Sequence, residues 1–324
     1  MDTSGYARWF RASTPYISAH RHRTFVVLLG GEAIAHANLA NIVHDLALLH
    51  VLGVRLVLVH GARPQIDEAL PDSRFHGARR ITDRDSMDTL LGVYGRIRAT
   101  LEAHFSTGLP TSPLHNTEIG TVTGNFTVAR PIGVLDGVDH LFTGQVRRVH
   151  AERIRSLLDA RSLVILSPLG YSPSGQVFNL AADELAAEVA IALKADKLIM
   201  FDADGYVRDE AGRNRPELVP AELETLLDRT APEPYVANQL RAMLRACRGG
   251  VPRCHLVSYA EDGALLQELF TARGHGTELL EQHSDAVRPA RPEDVAGIVE
   301  VIRPLEEAGV LVRRLPRGDG SPRR

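Results

Sequence analysis

From Thr24 onward, short apolar runs of strand character alternate with longer runs of helical spacing, and that alternation restricts the chain to a βαβ architecture. Strand-like Thr24 to Leu29 and Arg55 to Val59 are interleaved with helix-like Leu39 to Leu52 and Pro64 to Leu70. Crossovers of this kind are right-handed and build a mainly parallel sheet, so the loops that follow the strands gather along one edge, where ligands bind. Between Thr117 and Val149, five glycines among β-branched residues predict hairpins (Gly120, Gly124, Gly133, Gly137, Gly144). A buried strand at Leu163–Ser167, an amphipathic helix at Asp183–Leu193 and strands at Lys197–Phe201 and Cys254–Ser258 continue the pattern, followed by a helix at Ala264–Phe270.

Both ends of the chain depart from it. Residues 1–20 hold Trp9, Phe10, Tyr16 and Ile17, too apolar for a free tail, and read as an arm that packs on its own domain or on a neighbouring subunit. Composition changes after Gly276-Thr277; Ser284–Glu293, with Pro289 and Pro292, reads as a linker, and Asp294–Leu305 resumes a helical pattern. The last ten residues have almost no apolar content and are expected to be disordered. About 40 residues after a linker are too few for a stable domain of their own.

The 324 residues suffice for one large α/β domain plus a fragment, or for two modest domains. A net charge of −3 gives no electrostatic case for nucleic acid or an anionic membrane, and basic pairs such as Arg147-Arg148 read as solvated faces. Cys247 and Cys254 lack metal-ligand spacing and are expected to be reduced structural thiols, with no metal site. No apolar run reaches the length of a membrane span and no signal-peptide segment opens the chain, so a cytoplasmic location is expected.

Two strand–loop–helix phrases carry the candidate chemistry. Thr24 to Ile34 runs from a buried strand through Gly30-Gly31 into a helix, a form that presents backbone N–H groups to an anion. Leu56 to Asp67 repeats it through His60-Gly61-Ala62-Arg63, so the two loops are expected side by side at the carboxyl edge of the sheet. Each turn read alone serves equally as tight-turn structure. Asn179 and Asp183 are placed to hydrogen-bond a ligand or, more simply, to cap a helix.

These phrases resemble the amino-acid kinase domain shared by acetylglutamate kinases and bacterial N-acetylglutamate synthases, over roughly residues 15–283, with Leu29 to Ile34 and His60 to Ile66 similar to the synthase version. The resemblance implies an amino-acid kinase-like three-layer sandwich over residues 21–283, an N-terminal oligomerisation arm at 1–20, and, over 284–324, a linker and the truncated start of a GNAT-type α+β domain. Three departures set the chain apart from the kinases. Leu28 stands where they carry a Lys two residues before the Gly pair, Ala62-Arg63 stand where they carry glycines, and Tyr235 to Arg241 lacks their nucleotide-binding Lys. Gly30, Gly31, Gly61, Arg63, Asn179 and Asp183 would therefore line a vestigial cleft. A Lys197–Phe201 segment belongs to the region that contacts substrate and nucleotide in the kinases.

The phrases His255 to Ser258 and Leu265 to Thr277 resemble the arginine-site signature of arginine-inhibited members. By that resemblance Tyr16, His255, Glu268 and Gly274 would line an L-arginine pocket, with Glu268 pairing a guanidinium or ammonium and Gly274 letting the backbone approach the ligand. Read without it, His255 is a core histidine at a strand start and Glu268 a solvated helix residue. Val287 to Arg314 resembles the opening of the acetyltransferase domain of these synthases, where Arg313 or Arg314 would contact glutamate, but no pyrophosphate-binding Arg/Gln-x-x-Gly-x-Gly/Ala string follows.

The family's reaction transfers acetyl from acetyl-CoA to the α-amine of L-glutamate, the first step of arginine biosynthesis, with arginine as feedback inhibitor. The resemblance thus implies an amino-acid N-acetyltransferase, a homo-oligomer (hexamer), acetyl-CoA as substrate of the complete enzyme and no cofactor held by this chain. The residues present favour binding and assembly over catalysis, and a truncated, largely inactive chain is expected. The alternatives are an ATP-dependent acetylglutamate kinase and a stand-alone arginine-binding regulatory subunit.

Overall fold

The computed structural model describes residues 7, 10–108, 112–230, 232–271, 274–283 and 302. Backbone contacts divide the chain into Met1–His283 and Ser284–Arg324; the second unit is represented among the described residues by residue 302 alone, so Arg313 and Arg314 lie outside them, as does Trp9 of the arm.

Eight strands form the central sheet: β1 (Thr24–Leu29), β2 (Arg55–His60), β3 (Thr121–Val122), β4 (Leu163–Leu166), β5 (Lys197–Asp202), β6 (Glu217–Leu218), β7 (Arg253–Ser258) and β8 (Gly276–Leu280). Their order is β6-β8-β7-β5-β1-β2-β4-β3, parallel throughout except for the antiparallel β7–β8 pair. Because side chains alternate across a strand, β1 sends Val26 and Leu28 into one apolar layer and Phe25, Val27 and Leu29 into the other. Helices cover both faces, giving three layers. The first layer holds Ala182–Leu193 and Pro234–Arg248; the second holds Leu39–Val51, Arg84–Phe105 and Ala264–Phe270.

The expected elements in the first half are present to within a residue or two. Arg84–Phe105 is a 22-residue helix that the strand alternation alone did not anticipate. Its start is fixed by Asp83, whose carboxylate accepts the N–H of Ser86, and it buries Met87, Leu90, Val93, Tyr94, Ile97, Leu101 and Phe105 along one stripe. Gly276–Leu280, just ahead of the expected linker, forms the strand that pairs with β7. Two strands of the hairpin-rich middle, Thr127–Pro131 and Gly144–Val149, join Leu169–Tyr171 and Val177–Asn179 in a second, four-stranded sheet. Two short hairpins, Phe75–His76 with Arg79–Arg80 and Val134–Leu135 with Val138–Asp139, meet through His76 Nδ1 and His140 Nε2, 3.2 Å apart.

Two residues of the N-terminal arm pack on the domain that follows it. Helix Thr14–His20 lays Tyr16 and Ile17 on the second apolar layer of its own domain, and the His20 ring sits between those of Phe25 and Phe270 while Nε2 bonds the Leu269 carbonyl at 2.8 Å. The arm therefore touches the helix that carries Glu268. Cys247 and Cys254 are both buried and unbridged, as expected.

One buried carboxyl predicts a pH dependence. Burial, reinforced by the charge of Asp262, pushes Asp45 of helix Leu39–Val51 up to about 7. The folded state then binds more protons than the unfolded one between about pH 4 and 7. Stability falls as pH rises through that window, because the ionised carboxylate is held in a place that disfavours it. After discounting for partial exposure, Asp45→Asn is expected to raise stability by about 1–2 kcal/mol at pH 8 and to change it little at pH 4. Denaturant titrations at the two pH values measure the difference; an equal gain at both would assign the effect to something other than this charge.

Candidate functional site

Two separate sites emerge at opposite ends of the central strands. The first is a cleft of about 790 Å³ at their carboxyl ends, lined by Gly30, Gly31, Gly61, Arg63, Asn179 and Asp183 among others, so the six residues expected of a vestigial cleft do share one space. Gly61 N–H donates to the Leu29 carbonyl at 2.7 Å, which locks the two turns side by side. Leu28 is buried in the first apolar layer and forms part of the cleft floor.

The glycine turn, however, is filled by the protein itself. A Cβ on Gly30 would lie 2.6 Å from the Tyr235 hydroxyl, and one on Gly31 would lie 2.5 Å from Gln65 Oε1 and 2.7 Å from the Arg63 nitrogen. These glycines let Tyr235, Gln65 and the chain at Arg63 approach the turn closely. The following helix, Gly31–Ala35, has only five residues. Arg63 stacks over Tyr235 with its guanidinium carbon 5.2 Å from the ring centroid, closing the same space from the side. Burial, helped by the nearby carboxylates of Glu32, Asp183 and Asp202, raises Tyr235 and keeps it a neutral phenol.

Deeper in the cleft, Asn179 does not cap a helix. Its Oδ1 accepts from the Tyr94 hydroxyl at 2.8 Å and its Nδ2 donates to Thr82 Oγ1 at 3.0 Å. Ala181 occupies the helix N-cap, and Asp183, one residue inside the helix, accepts the Glu184 N–H at 2.9 Å. Burial raises the Asp183 carboxyl. Arg80 also lines the cleft, paired with Asp67, and its Nη1 has no hydrogen-bond partner among the described residues.

The second site is a buried chain of charged and polar groups. His255 Nδ1 lies 2.6 Å from Glu268 Oε1, its Nε2 lies 2.9 Å from Lys197 Nζ, and Glu268 Oε2 accepts the His275 N–H at 2.5 Å. An ammonium can only donate, so Nε2 accepts from Lys197 and Nδ1–H donates to Glu268: a neutral imidazole links a buried cation to a buried anion. Burial and the Lys197 charge both lower His255, in keeping with that state. For Glu268, burial pushes the carboxyl up, but the His255 hydrogen bond and charge, the His275 N–H and Lys197 outweigh it, and the net direction is down. Gly274 has φ +64°, and a Cβ there would sit 2.6 Å from Glu268 Oε2. The glycine makes room for Glu268 itself.

Of the four expected pocket residues, His255, Glu268 and Gly274 converge here; Tyr16 packs nearby in the apolar layer through the arm. Neither solvated-helix nor simple-core reading fits, since both charged side chains are buried and joined. Lys197 is the residue that sequence reasoning missed. It opens β5, at the end of the sheet away from the cleft, which corrects its grouping with a nucleotide-contacting segment. The signal was present: of the 37 Lys and Arg residues, only Lys194 and Lys197 are lysine. Among the described residues no group of three or more His, Cys, Asp and Glu side chains is arranged to hold a metal ion, and no helix is long and apolar enough to cross a membrane.

Comparison with known proteins places this geometry. Residues 23–258 match the amino acid kinase family. The chain is 51% identical over 313 residues to an amino-acid acetyltransferase of Ectopseudomonas mendocina, covering 95% of this chain and 72% of that protein. A Pseudomonas fluorescens amino-acid acetyltransferase is 50% identical with the same coverage. Among solved structures, N-acetylglutamate synthase from Neisseria gonorrhoeae complexed with coenzyme A and L-arginine aligns with TM-score 0.82 and 32% identity, over 96% of this chain and 73% of that one. The complex of that synthase with coenzyme A and N-acetyl-glutamate gives 0.79 and 33%, over 96% and 72%. Giardia carbamate kinase, at TM-score 0.60 and 16% identity over 80% of this chain and 99% of its own, shares the fold alone.

Proposed function

The chain belongs to the amino-acid acetyltransferase family, with an amino acid kinase family domain at residues 23–258, and on that premise we propose that it serves N-acetylglutamate synthesis under control by L-arginine. The reaction moves the acetyl group of acetyl-CoA to the α-amine of L-glutamate, releasing CoA, as the first step of arginine biosynthesis. In this reading the kinase-like domain does no phosphoryl transfer. It holds the feedback inhibitor and assembles the homo-oligomer, a cytoplasmic hexamer joined through residues 1–20, while residues 284–324 lead into the acetyl-transferring unit, where Arg313 and Arg314 contact glutamate.

The observation that carries the regulatory part is the Lys197–His255–Glu268 chain. An α-amino acid brings a carboxylate and at least one cation, and this site offers a buried ammonium and a buried carboxylate separated by one imidazole. Arginine placed with its carboxylate toward Lys197 and a cationic end toward Glu268 satisfies both charges, with Gly274-His275 closing beside it. Its guanidinium suits bidentate pairing with a carboxylate better than the point charge of lysine.

Calorimetric titration with L-arginine, and L-lysine as control, tests the reading. Arginine is expected to release heat with a saturable isotherm and lysine to bind at least about tenfold more weakly. Arginine in excess should also raise the thermal midpoint, as a ligand of the native state does by mass action. A folded sample giving neither heat nor a midpoint shift with arginine would remove the proposed site.

A further inference from the structure

The chain has almost no lysine, yet one of its two lysines is buried at the centre of the second site. Lys197 is 8% exposed, donates to His255 Nε2 at 2.9 Å and lies 5.9 Å from the centroid of the Phe25 ring. Elsewhere the chain meets its need for positive charge with arginine, which stays protonated at any ordinary pH. A lysine here differs from an arginine in one chemical respect that burial exploits: it can lose its proton.

Resting on the reading of this site as an amino-acid pocket, we propose that ligand binding is proton-linked through Lys197, the entering carboxylate drawing a proton onto its amine, so that the site senses pH as well as arginine. The groups that face Lys197 set the terms. Asp196 precedes it on β5; Arg253 and His255 approach from β7; Glu278 from β8; Glu268 from helix Ala264–Phe270; and His20 from the N-terminal helix. Burial lowers the amine to about 8, with Arg253 acting the same way and Glu278, Glu268 and Asp196 opposing it. In the free protein above that pH, a neutral amine beside a neutral imidazole leaves Glu268 as the residual charge of the chain. A ligand carboxylate next to Lys197 favours the ammonium and restores it. By linkage, protonation and occupancy strengthen each other by the same factor.

No proton is consumed from the protein's other groups in this scheme: the amine takes one from solvent as the ligand enters and returns it as the ligand leaves. The arm is drawn in, because His20 bonds the Leu269 carbonyl and feels the charge of Lys197.

The scarcity of lysine makes the test direct. Isotope-labelled lysine incorporated into the chain gives two side-chain Cε resonances, and exposed Lys194 serves as the internal reference. In the free protein the Lys197 resonance is expected to titrate near pH 8, well below the usual lysine range, and saturating arginine is expected to move its midpoint up by at least one pH unit, while the Lys194 resonance does not respond to arginine. In parallel, arginine affinity of the wild type should fall by about tenfold more between pH 7 and 9.5 than that of Lys197→Arg, whose charge is fixed. Because both proteins meet the same ligand, titration of arginine's own α-amine cancels. A Lys197 midpoint in the usual lysine range, or one that arginine leaves unmoved while calorimetry shows it bound, overturns the linkage and leaves the pocket standing. Absence of arginine binding overturns the pocket and the linkage together.

Discussion

Leu28→Lys is expected to cost about 2–4 kcal/mol of stability and to confer no ATP-dependent phosphorylation of N-acetylglutamate, even though it restores the residue type that the kinases carry there. Leu28 is 1% exposed, paired in register with Val59 on one side and Met200 on the other, and shares its layer with Val26 and Leu180. An ammonium in that layer must shed its water or bend toward the cleft floor. Restoring the cation also leaves the phosphate space filled by Tyr235, Gln65 and Arg63. Losing one group that stabilises transition-state charge commonly costs about 10²–10³ in rate, so one returned cation cannot offset a blocked turn. Trapping acylglutamyl phosphate as its hydroxamate measures the activity. Substantial ATP-dependent product from the wild type would defeat the reading of the cleft, and product gained by Leu28→Lys alone would show that the glycine turn opens.

What the sequence displayed, and what it hid, follows from which physical signals are local. Strand β1 was legible because Thr24 to Leu29 is apolar on both faces, and a strand buried on both faces sits in a parallel sheet. The departure at Leu28 was legible because a charge-to-apolar replacement in a strand needs no knowledge of the surroundings. Gly30 and Gly31 were legible as a turn, but what approaches it was not. A glycine announces that something comes close, but Tyr235 arrives from more than two hundred residues away, so the sequence cannot name it. The same holds for Gly274, whose close neighbour is Glu268. The helix Arg84–Phe105 could have been found, since Met87, Leu90, Tyr94, Ile97 and Leu101 recur at three- and four-residue spacing behind an Asp83 cap. Lys197 looked like an ordinary charge at a strand start; only its rarity hinted otherwise.

Glu268→Gln is expected to weaken arginine binding by roughly ten- to 150-fold, the worth of a charge-assisted hydrogen bond of about 1.5–3 kcal/mol. Glutamine keeps the shape and one acceptor, so the His275 N–H can still be satisfied while the negative charge is gone. Glu268→Ala should reach the same loss of affinity and add a loss of fold stability of about 3–5 kcal/mol, because it strands His255 Nδ1–H and removes one of the carboxylates that offset the buried Lys197 charge. The pair of variants thus separates ligand recognition from structural support. The charge is coupled to binding through His255: in the free protein each Glu268 oxygen already accepts one hydrogen bond, so an incoming cation shares the carboxylate with the imidazole N–H or displaces it. His255→Ala alone should therefore weaken binding less than Glu268→Gln, since it frees one carboxylate oxygen as it removes a neighbour. Calorimetry on the three variants, each checked for a cooperative thermal transition, supplies the comparison. Equal affinity in wild type and Glu268→Gln would keep an arginine site in the domain but remove Glu268 from it, and a larger loss from His255→Ala than from Glu268→Gln would make the imidazole, not the carboxylate, the group that meets the ligand.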